Sequence, residues 1–384
     1  MTDDQSRRTV LKGAGTALTL GTVGIAGCVG GGDGEGDDDG GESAGAGLGG
    51  GDDDGGSSDR EYPEWDMDNP EFPQPSSLLF DEDFHFGTQA DLERFSEDPR
   101  DEPRYGGPVQ QVDDGDYLEP DTLMFSYSSG EDAQAVYQDA FDPMMEALEE
   151  ETGLPVEFVN LTDYAATVET MRAERLHVSS FATGNTPFGV NLAGAVPLAM
   201  LADDELFGYR LWVITHADND EINSLEDLEG KRVAHGHESS NSGNLAPIAL
   251  FTNAGLVPGE DYEYDNIGAH ENIARAIYHE DYDAGPICST CMERALDDVD
   301  PDDVKVVWAS DPFPPGPLCY RYNLHPDIVD GIERAILDHD YTGTSIEEET
   351  GRGRTVEVDY PTHWDVILQV HEQNEIDYGD LDDL

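Results

Sequence analysis

From Asp121 onward, short apolar runs alternate with longer stretches whose apolar residues recur at helical spacing. Residues 123–127 predict a strand, and the pattern that follows predicts a helix capped by Asp132, kinked at Pro143 and closed at Gly153. A strand at 156–160 follows, then a helix capped by Thr162 with Tyr164 in its first turn, and short strands at 178–181 and 197–201. A second set opens at 211–215. It continues with a helix at 224–228, a strand around Val233, a helix after Ser242, a strand at 262–267, a helix at 271–279 and a strand at 284–287. The runs 304–308 and 318–322 read as strands returning to the first set, and helices from Pro326 and Thr362 finish the chain. Strands alternating with helices imply an α/β protein with parallel sheets covered on both faces.

Upstream of Asp121 the pattern breaks down in stages. Ser6-Arg7-Arg8-Thr9-Val10-Leu11-Lys12 and an apolar, Gly/Ala-rich run to Ala26 read as a twin-arginine export signal, and Ile25-Ala26-Gly27-Cys28 as a lipobox with Cys28 the lipidated residue. A plain membrane anchor fits less well, because about 15 residues at about 1.5 Å each reach only about 22 Å across a core of about 30 Å. Residues 1–28 are therefore the signal. Residues 29–59, almost all Gly, Asp, Ser and Ala, are a flexible acidic linker. Residues 60–120 are Pro-rich but carry Tyr62, Trp65, Phe72, Phe80, Phe84, Phe86, Phe95 and Tyr105, which predicts an extension lying on the body.

Charge narrows the partners. With 85 acidic residues against 19 basic and a net charge of −66, nucleic acid and anionic membrane are repelled. A disordered acidic chain is disfavoured by the regular apolar runs, 16 Tyr and 13 Phe. The carboxylates read instead as a halophile's solvated surface, since in molar salt the Debye length is only about 3 Å.

The candidate chemistry lies at His235-Gly236-His237-Glu238-Ser239-Ser240-Asn241-Ser242-Gly243, where the apolar run Arg232-Val233-Ala234 turns into a helix that Gly255 closes. Ser240, Asn241 and Ser242 fall at a strand-to-helix corner, where unpaired N–H groups and the helix dipole favour an anion. Helix capping alone also explains serines there.

Leu148-Glu149-Glu150-Glu151-Thr152-Gly153-Leu154-Pro155-Val156, Thr162-Asp163-Tyr164-Ala165-Ala166, Gly208-Tyr209-Arg210, the segment from Ser224 to Arg232, the corner, and Gly268-Ala269-His270-Glu271 together resemble the phosphonate-binding proteins of ABC importers, over roughly residues 121–340. The resemblance implies a two-lobed, periplasmic-binding-protein-like α/β fold of type II, each lobe a mixed sheet flanked by helices. Lobe 1 would comprise 121–206 plus 307–384, and lobe 2 residues 207–306. It implies that Ser240, Asn241 and Ser242 hold the phosphonyl group, with Tyr164, Tyr209 and His270 around it. Two hydroxyls and an imidazole suit oxyanion oxygens without a permanent cation. Asn241 replaces the family's usual Thr, and His177 its usual Asp. Where aminoalkyl-phosphonate binders place acidic residues, this chain has Thr290 and Gly316, so an ammonium would meet no counter-charge.

The expected function is that of a lipid-anchored receptor on the outer face of the cell membrane. It would be a monomer without metal or cofactor that passes phosphate, phosphite or a simple phosphonate to an ABC permease and its ATPase. The alternative is a secreted enzyme, either metal or redox through Cys288 and Cys291, or hydrolytic through Ser242 and His270. A zinc site lacks its second pair. Pro286-Ile287 leads into the Cys-x-x-Cys where a redox motif would open a helix, and no acidic orienter for a Ser–His pair is identifiable. Cys288, Cys291 and Cys319 are expected either to include a disulfide or to remain buried thiols.

Overall fold

The computed structural model describes residues 61–107, 112, 115–127, 134–161, 163–203 and 206–379. The export signal, Cys28, the acidic linker and the capping expectations for Asp132 and Thr162 lie outside the described residues.

One sheet has six strands, in the order Arg354–Glu357, Ala195–Ala202, Pro317–Arg321, Val178–Ser180, Leu123–Ser126, Val156–Phe158. Its last three strands are parallel, while Pro317–Arg321 and Arg354–Glu357 run antiparallel to their neighbours. The sheet is therefore mixed, not wholly parallel. Ala195–Ala202 is apolar along almost its whole length and almost entirely buried, as a strand covered on both faces must be. One face packs Phe125, Met144, Leu148, Ile332 and Ile336, and the other Val168, Phe188, Trp364 and Leu368.

The second sheet runs Gln74–Pro75, Val304–Ala309, Leu211–His216, Gly285–Cys288, all antiparallel. It is extended by the parallel pair Arg232–His235 and Glu263–Asn266, joined to it through the amide of Ala234 donating to the carbonyl of Ala284 at 2.9 Å. Val304–Ala309 corrects the expectation that this run returns to the first set. A bulge between Val306 and Trp308 keeps it paired with Leu211–His216 to its end, and the chain crosses back only at Pro317.

Two segments connect the sheets and touch midway. The amide of Phe313 donates to the carbonyl of Tyr209 at 2.8 Å, and that of Tyr209 to Phe313 at 3.2 Å. Gly208 beside them has φ +62°, and a Cβ there would fall 2.0 Å from the Phe313 carbonyl oxygen. Only glycine fits both the left-handed backbone and the contact.

The predicted helix through Pro143 is two helices, Gln134–Ala140 and Asp142–Thr152, separated at Phe141. Pro143 stands in the first turn of the second, where its missing N–H costs nothing, and Gly153 closes it at φ +71°. Asp163 caps Tyr164–Arg172, accepting from the Ala166 amide at 2.6 Å.

The extension adds real elements that periodicity did not reveal. Gln74–Pro75 pairs with Val306 and Lys305, and Gly87–Thr88 pairs with Leu206–Phe207 beside the crossing. Leu79 and Phe84, with Trp65, Phe72 and Phe80, join the core around Trp212 and Ile214. Arg210 is buried at the crossing, its Nε donating to the Phe86 carbonyl at 3.0 Å and its Nη1 to the Ser310 carbonyl at 3.1 Å, with Asp91 at 3.6 Å. Arg104 reaches Asp365 at 2.8 Å, so the extension touches elements built on both sheets.

Candidate functional site

The corner opens where Arg232–His235 ends. His235 is fully buried and has a hydrogen bond on each ring nitrogen, to Asn244 Oδ1 at 3.0 Å and to the Tyr262 hydroxyl at 3.1 Å. An amide oxygen can only accept, so Nδ1 donates to Asn244 and Nε2 accepts from Tyr262. The amide of Gly236 donates to the carbonyl of Gly243 at 2.8 Å, folding the loop against the helix start. The helix begins earlier and wider than the sequence suggests. The amides of Asn244 and Leu245 both donate to the Ser240 carbonyl, at 3.1 and 2.9 Å. Asn241–Leu245 thus form a wide turn running directly into Ala246–Asn253, with Ser240 as the cap. Gly255 follows at φ +92°, the left-handed closure expected of it.

Proton positions around Ser240 follow from its neighbours. The amide of Cys288 donates to His270 Nδ1 at 3.3 Å, so the proton of the neutral ring sits on Nε2. Nε2 lies 3.0 Å from Ser240 Oγ, which also accepts from the Gly243 amide at 3.2 Å. With both acceptor sites occupied, the Ser240 hydroxyl proton is left to donate into the cleft. Burial pushes the His270 imidazole down to about 3, so it stays neutral at ordinary pH and acts on Ser240 as an orienting donor. A Cβ on Gly243 would lie 2.9 Å from Ser240 Oγ and 3.1 Å from His270 Cε1, which leaves no room for a side chain in this cluster.

The other expected residues converge on the same cleft. Tyr164 and Tyr209 line it with Ser240, Asn241, Ser242 and His270. Asn241 Nδ2 donates to the Tyr209 hydroxyl at 3.1 Å, and burial holds that hydroxyl in its protonated form. Tyr164 meets the His237 ring edge-on at 5.7 Å. The serine paired with His270 is Ser240, whereas the hydrolytic alternative had paired Ser242 with it. His177 is a buried structural residue that accepts from the Met124 amide at 2.9 Å.

The Cys-x-x-Cys differs from expectation. Cys288 ends the strand Gly285–Cys288 and caps the helix Ser289–Arg294, so the motif does open a helix at a strand end. Both thiols are free and buried, as is Cys319 in the first sheet. Burial works to raise Cys288, but its bond to the Cys291 thiol and the charge of Arg294 bring it down to about 7. Among the described residues no group of three or more His, Cys, Asp and Glu is arranged to hold a metal.

The cleft is also lined by residues that the motifs did not mark: Phe86, Tyr127, Glu293, Arg294, Glu349 and Arg352. Arg294 is paired with Glu271 at 2.9 Å. Thus Thr290 and Gly316 do line the cleft, but so do three carboxylates, which corrects the expectation that no counter-charge stands near a ligand tail. The cleft has room for about 230 Å³, below the usual range for drug-sized ligands. An arginine between Gly351 and Gly353, in a chain with 19 basic residues, was the available signal for Arg352.

Residues 125–364 match the family described as the phosphonate periplasmic substrate-binding protein of ABC transporters. The phosphate-import protein of Mycolicibacterium smegmatis is 31% identical over 247 residues, covering 60% of this chain and 75% of the relative. The phosphonates-binding periplasmic protein of Escherichia coli is 25% identical over 208 residues, 52% of this chain and 61% of that one. Among solved structures, a Prochlorococcus marinus protein in complex with methylphosphonate shares the fold with a TM-score of 0.57 at 18% identity, covering 67% of this chain and 100% of that chain.

Proposed function

We propose, because the chain belongs to the phosphonate periplasmic substrate-binding family of ABC transporters, that its cleft captures a small phosphorus oxyanion and presents it to a permease driven by an ATPase. It is a solute-binding protein, not an enzyme. The reading rests on Ser240, whose two acceptor positions are filled by His270 and Gly243, so that its proton is directed at an oxyanion. Tyr164, Tyr209, Asn241 and Ser242 complete the set of donors. Tyr164 belongs to lobe 1 and the corner to lobe 2, so the ligand stabilises the closed state that brings them together. The finer reading is a haloadapted monomer exported by its twin arginines and held by lipid on Cys28. Among the described residues no helix is long and apolar enough to cross a membrane.

Calorimetry in multimolar potassium chloride against phosphate, phosphite, methylphosphonate and 2-aminoethylphosphonate tests the ligand class. Because Glu271 is already paired with Arg294 and the cation Arg352 shares the cleft with the exposed Glu293 and Glu349, one of the first three is expected to bind at least about tenfold tighter than the aminoalkyl ligand, a difference of about 1.4 kcal/mol. A tighter aminoalkyl ligand would mean that Glu271, Glu293 or Glu349 meets the amine. For the anchor, Cys28→Ser should release exported protein into the medium; protein retained in the membrane fraction would assign anchoring to the apolar run.

A further inference from the structure

We propose that the end of the cleft away from the corner is a second anion subsite built on Arg352, so that the receptor favours a phosphorus oxyanion bearing a further acidic group, such as a phosphonocarboxylate. This rests on the reading above and names the substrate class within it.

Arg352 follows the helix Ser345–Thr350 and precedes the edge strand Arg354–Glu357. It is held from two sides. Nη2 donates to the Gly208 carbonyl at 2.9 Å, and the guanidinium lies 5.1 Å from the centre of the Phe86 ring. Gly208 is fixed by the pairing of the adjacent Tyr209 with Phe313, and Phe86 by the Arg210 bond to its carbonyl. The side chain is thus positioned by the crossing and by the extension together.

Among the described residues no carboxylate forms a contact ion pair with Arg352, which lines the cleft half-buried; Asp203 and Glu293 act on it only at longer range. Arg294, the other cation there, is paired with Glu271. Glu293 and Glu349 line the cleft too, both with exposed side chains; Glu293 feels the charge of Arg352 without making an ion pair with it, and among the described residues Glu349 makes none. A partly desolvated guanidinium with unused donors in a closing cleft is a carboxylate or phosphate site by its geometry. In a chain of net charge −66, a cation left without a carboxylate in contact is informative.

The charge of Arg294 reaches His270, whereas the groups that interact with the charge of Arg352 are Tyr127, Cys288, Asp203, Glu293 and His85, and of these only Cys288 adjoins the corner, through its amide bond to His270. A tetrahedral anion takes the space of two to three waters, roughly 60–90 Å³ at about 30 Å³ each. The cleft offers about 230 Å³, enough for an anion at the corner and a short acidic tail.

The test compares phosphonoacetate with methylphosphonate, which share the phosphonyl group, on the full exported chain in multimolar potassium chloride. Phosphonoacetate is expected to bind at least about tenfold tighter. Arg352→Gln should reduce that preference to within about threefold while leaving methylphosphonate within about threefold of its original affinity, which also shows that the variant is folded; Arg352→Lys should keep part of the preference. Methylphosphonate binding as tightly as phosphonoacetate to the unaltered protein would overturn the proposal on its own. Equal weakening of both ligands by Arg352→Gln would overturn it too, by placing Arg352 at the phosphonyl group. If neither ligand binds, the phosphorus-oxyanion reading falls first and this one with it.

Discussion

The two ends of the cleft handle negative charge by opposite means. At the corner every group is a neutral donor: the Ser240 hydroxyl, the amides at the start of a helix, the Tyr209 hydroxyl kept protonated by burial, and an imidazole pushed down to about 3. At the far end stands a full positive charge, Arg352, steadied by an aromatic ring and a backbone carbonyl. Neutral donors pre-aimed by their own hydrogen bonds pay little to reorganise and discriminate by geometry. A guanidinium attracts any anion and discriminates by charge. One end therefore recognises the shape of the oxyanion head, and the other the sign of its tail.

The largest effect expected is shared by both ends and separates their supports. His85 beside Phe86 and His235 under the corner are buried and pushed down to about 4, and His371 to about 3, each chiefly by burial. Unfolded histidines titrate near 6.5. The unfolded chain therefore binds protons below that pH while the folded chain does not. The stability contributed by the neutral rings is fully present above about pH 6.5 and is lost as pH falls towards 4 and then 3. With His270, also pushed down to about 3, four protons give a limiting slope of roughly 5.5 kcal/mol per pH unit. Thermal melts from pH 8 to 4 should show this steep acid limb. His85→Asn and His235→Asn should each shallow it by about a quarter, whereas an unchanged slope in both would show that carboxylates alone drive acid unfolding.

The next effect breaks the corner and spares the far end. Ser240→Ala removes the hydroxyl aimed at the ligand and leaves the His270 Nε2–H and the Gly243 amide without their acceptor. A hydrogen bond to a charged group contributes about 1.5 to 3 kcal/mol, or roughly 10- to 150-fold in affinity. The loss should be the same for phosphonoacetate and methylphosphonate, because both present the same head. Unchanged affinity in Ser240→Ala and in Ser242→Ala would remove the anion from the corner.

The two ends also differ in how far they could be read from sequence. The corner is local: one strand end, a run of small polar residues and a helix start lie within about a dozen positions, so spacing marks it as a candidate. Helix capping explains the same serines, and it is the order of motifs that gives them a role. Even there the wide turn at Asn241–Leu245 and the pairing of His270 with Ser240 depend on Gly236, Gly243 and Cys288 being brought together in space. The far end is assembled from Phe86, Gly208 and Arg352, whose separation along the chain no periodicity spans. The strands Gln74–Pro75, Gly87–Thr88 and Leu206–Phe207 are two residues long, too short to alternate. The extension was therefore legible as aromatic and packed, but not as a support for the cleft. Val304–Ala309 went astray because an apolar run shows that a strand is buried but not in which sheet.

The smallest effect is the most specific to the far end. Phe86 contributes its ring face to Arg352 from 5.1 Å and packs at 4.1 Å against His85, while its backbone carbonyl, which any residue supplies, holds Arg210. Phe86→Leu keeps the carbonyl and most of the apolar volume but removes the ring quadrupole. A cation over an aromatic face is worth about 0.5 to 2 kcal/mol, so an acidic-tailed ligand should lose about 2- to 30-fold in affinity. Methylphosphonate, which has no group at that end, should lose less than about twofold. The same measurement separates electrostatic support from mere filling of space: if Leu holds the guanidinium as well as Phe does, both ligands stay unchanged and Gly208 alone fixes Arg352. If both ligands weaken together, Phe86 acts through closure of the lobes, and the two ends of the cleft are not independent.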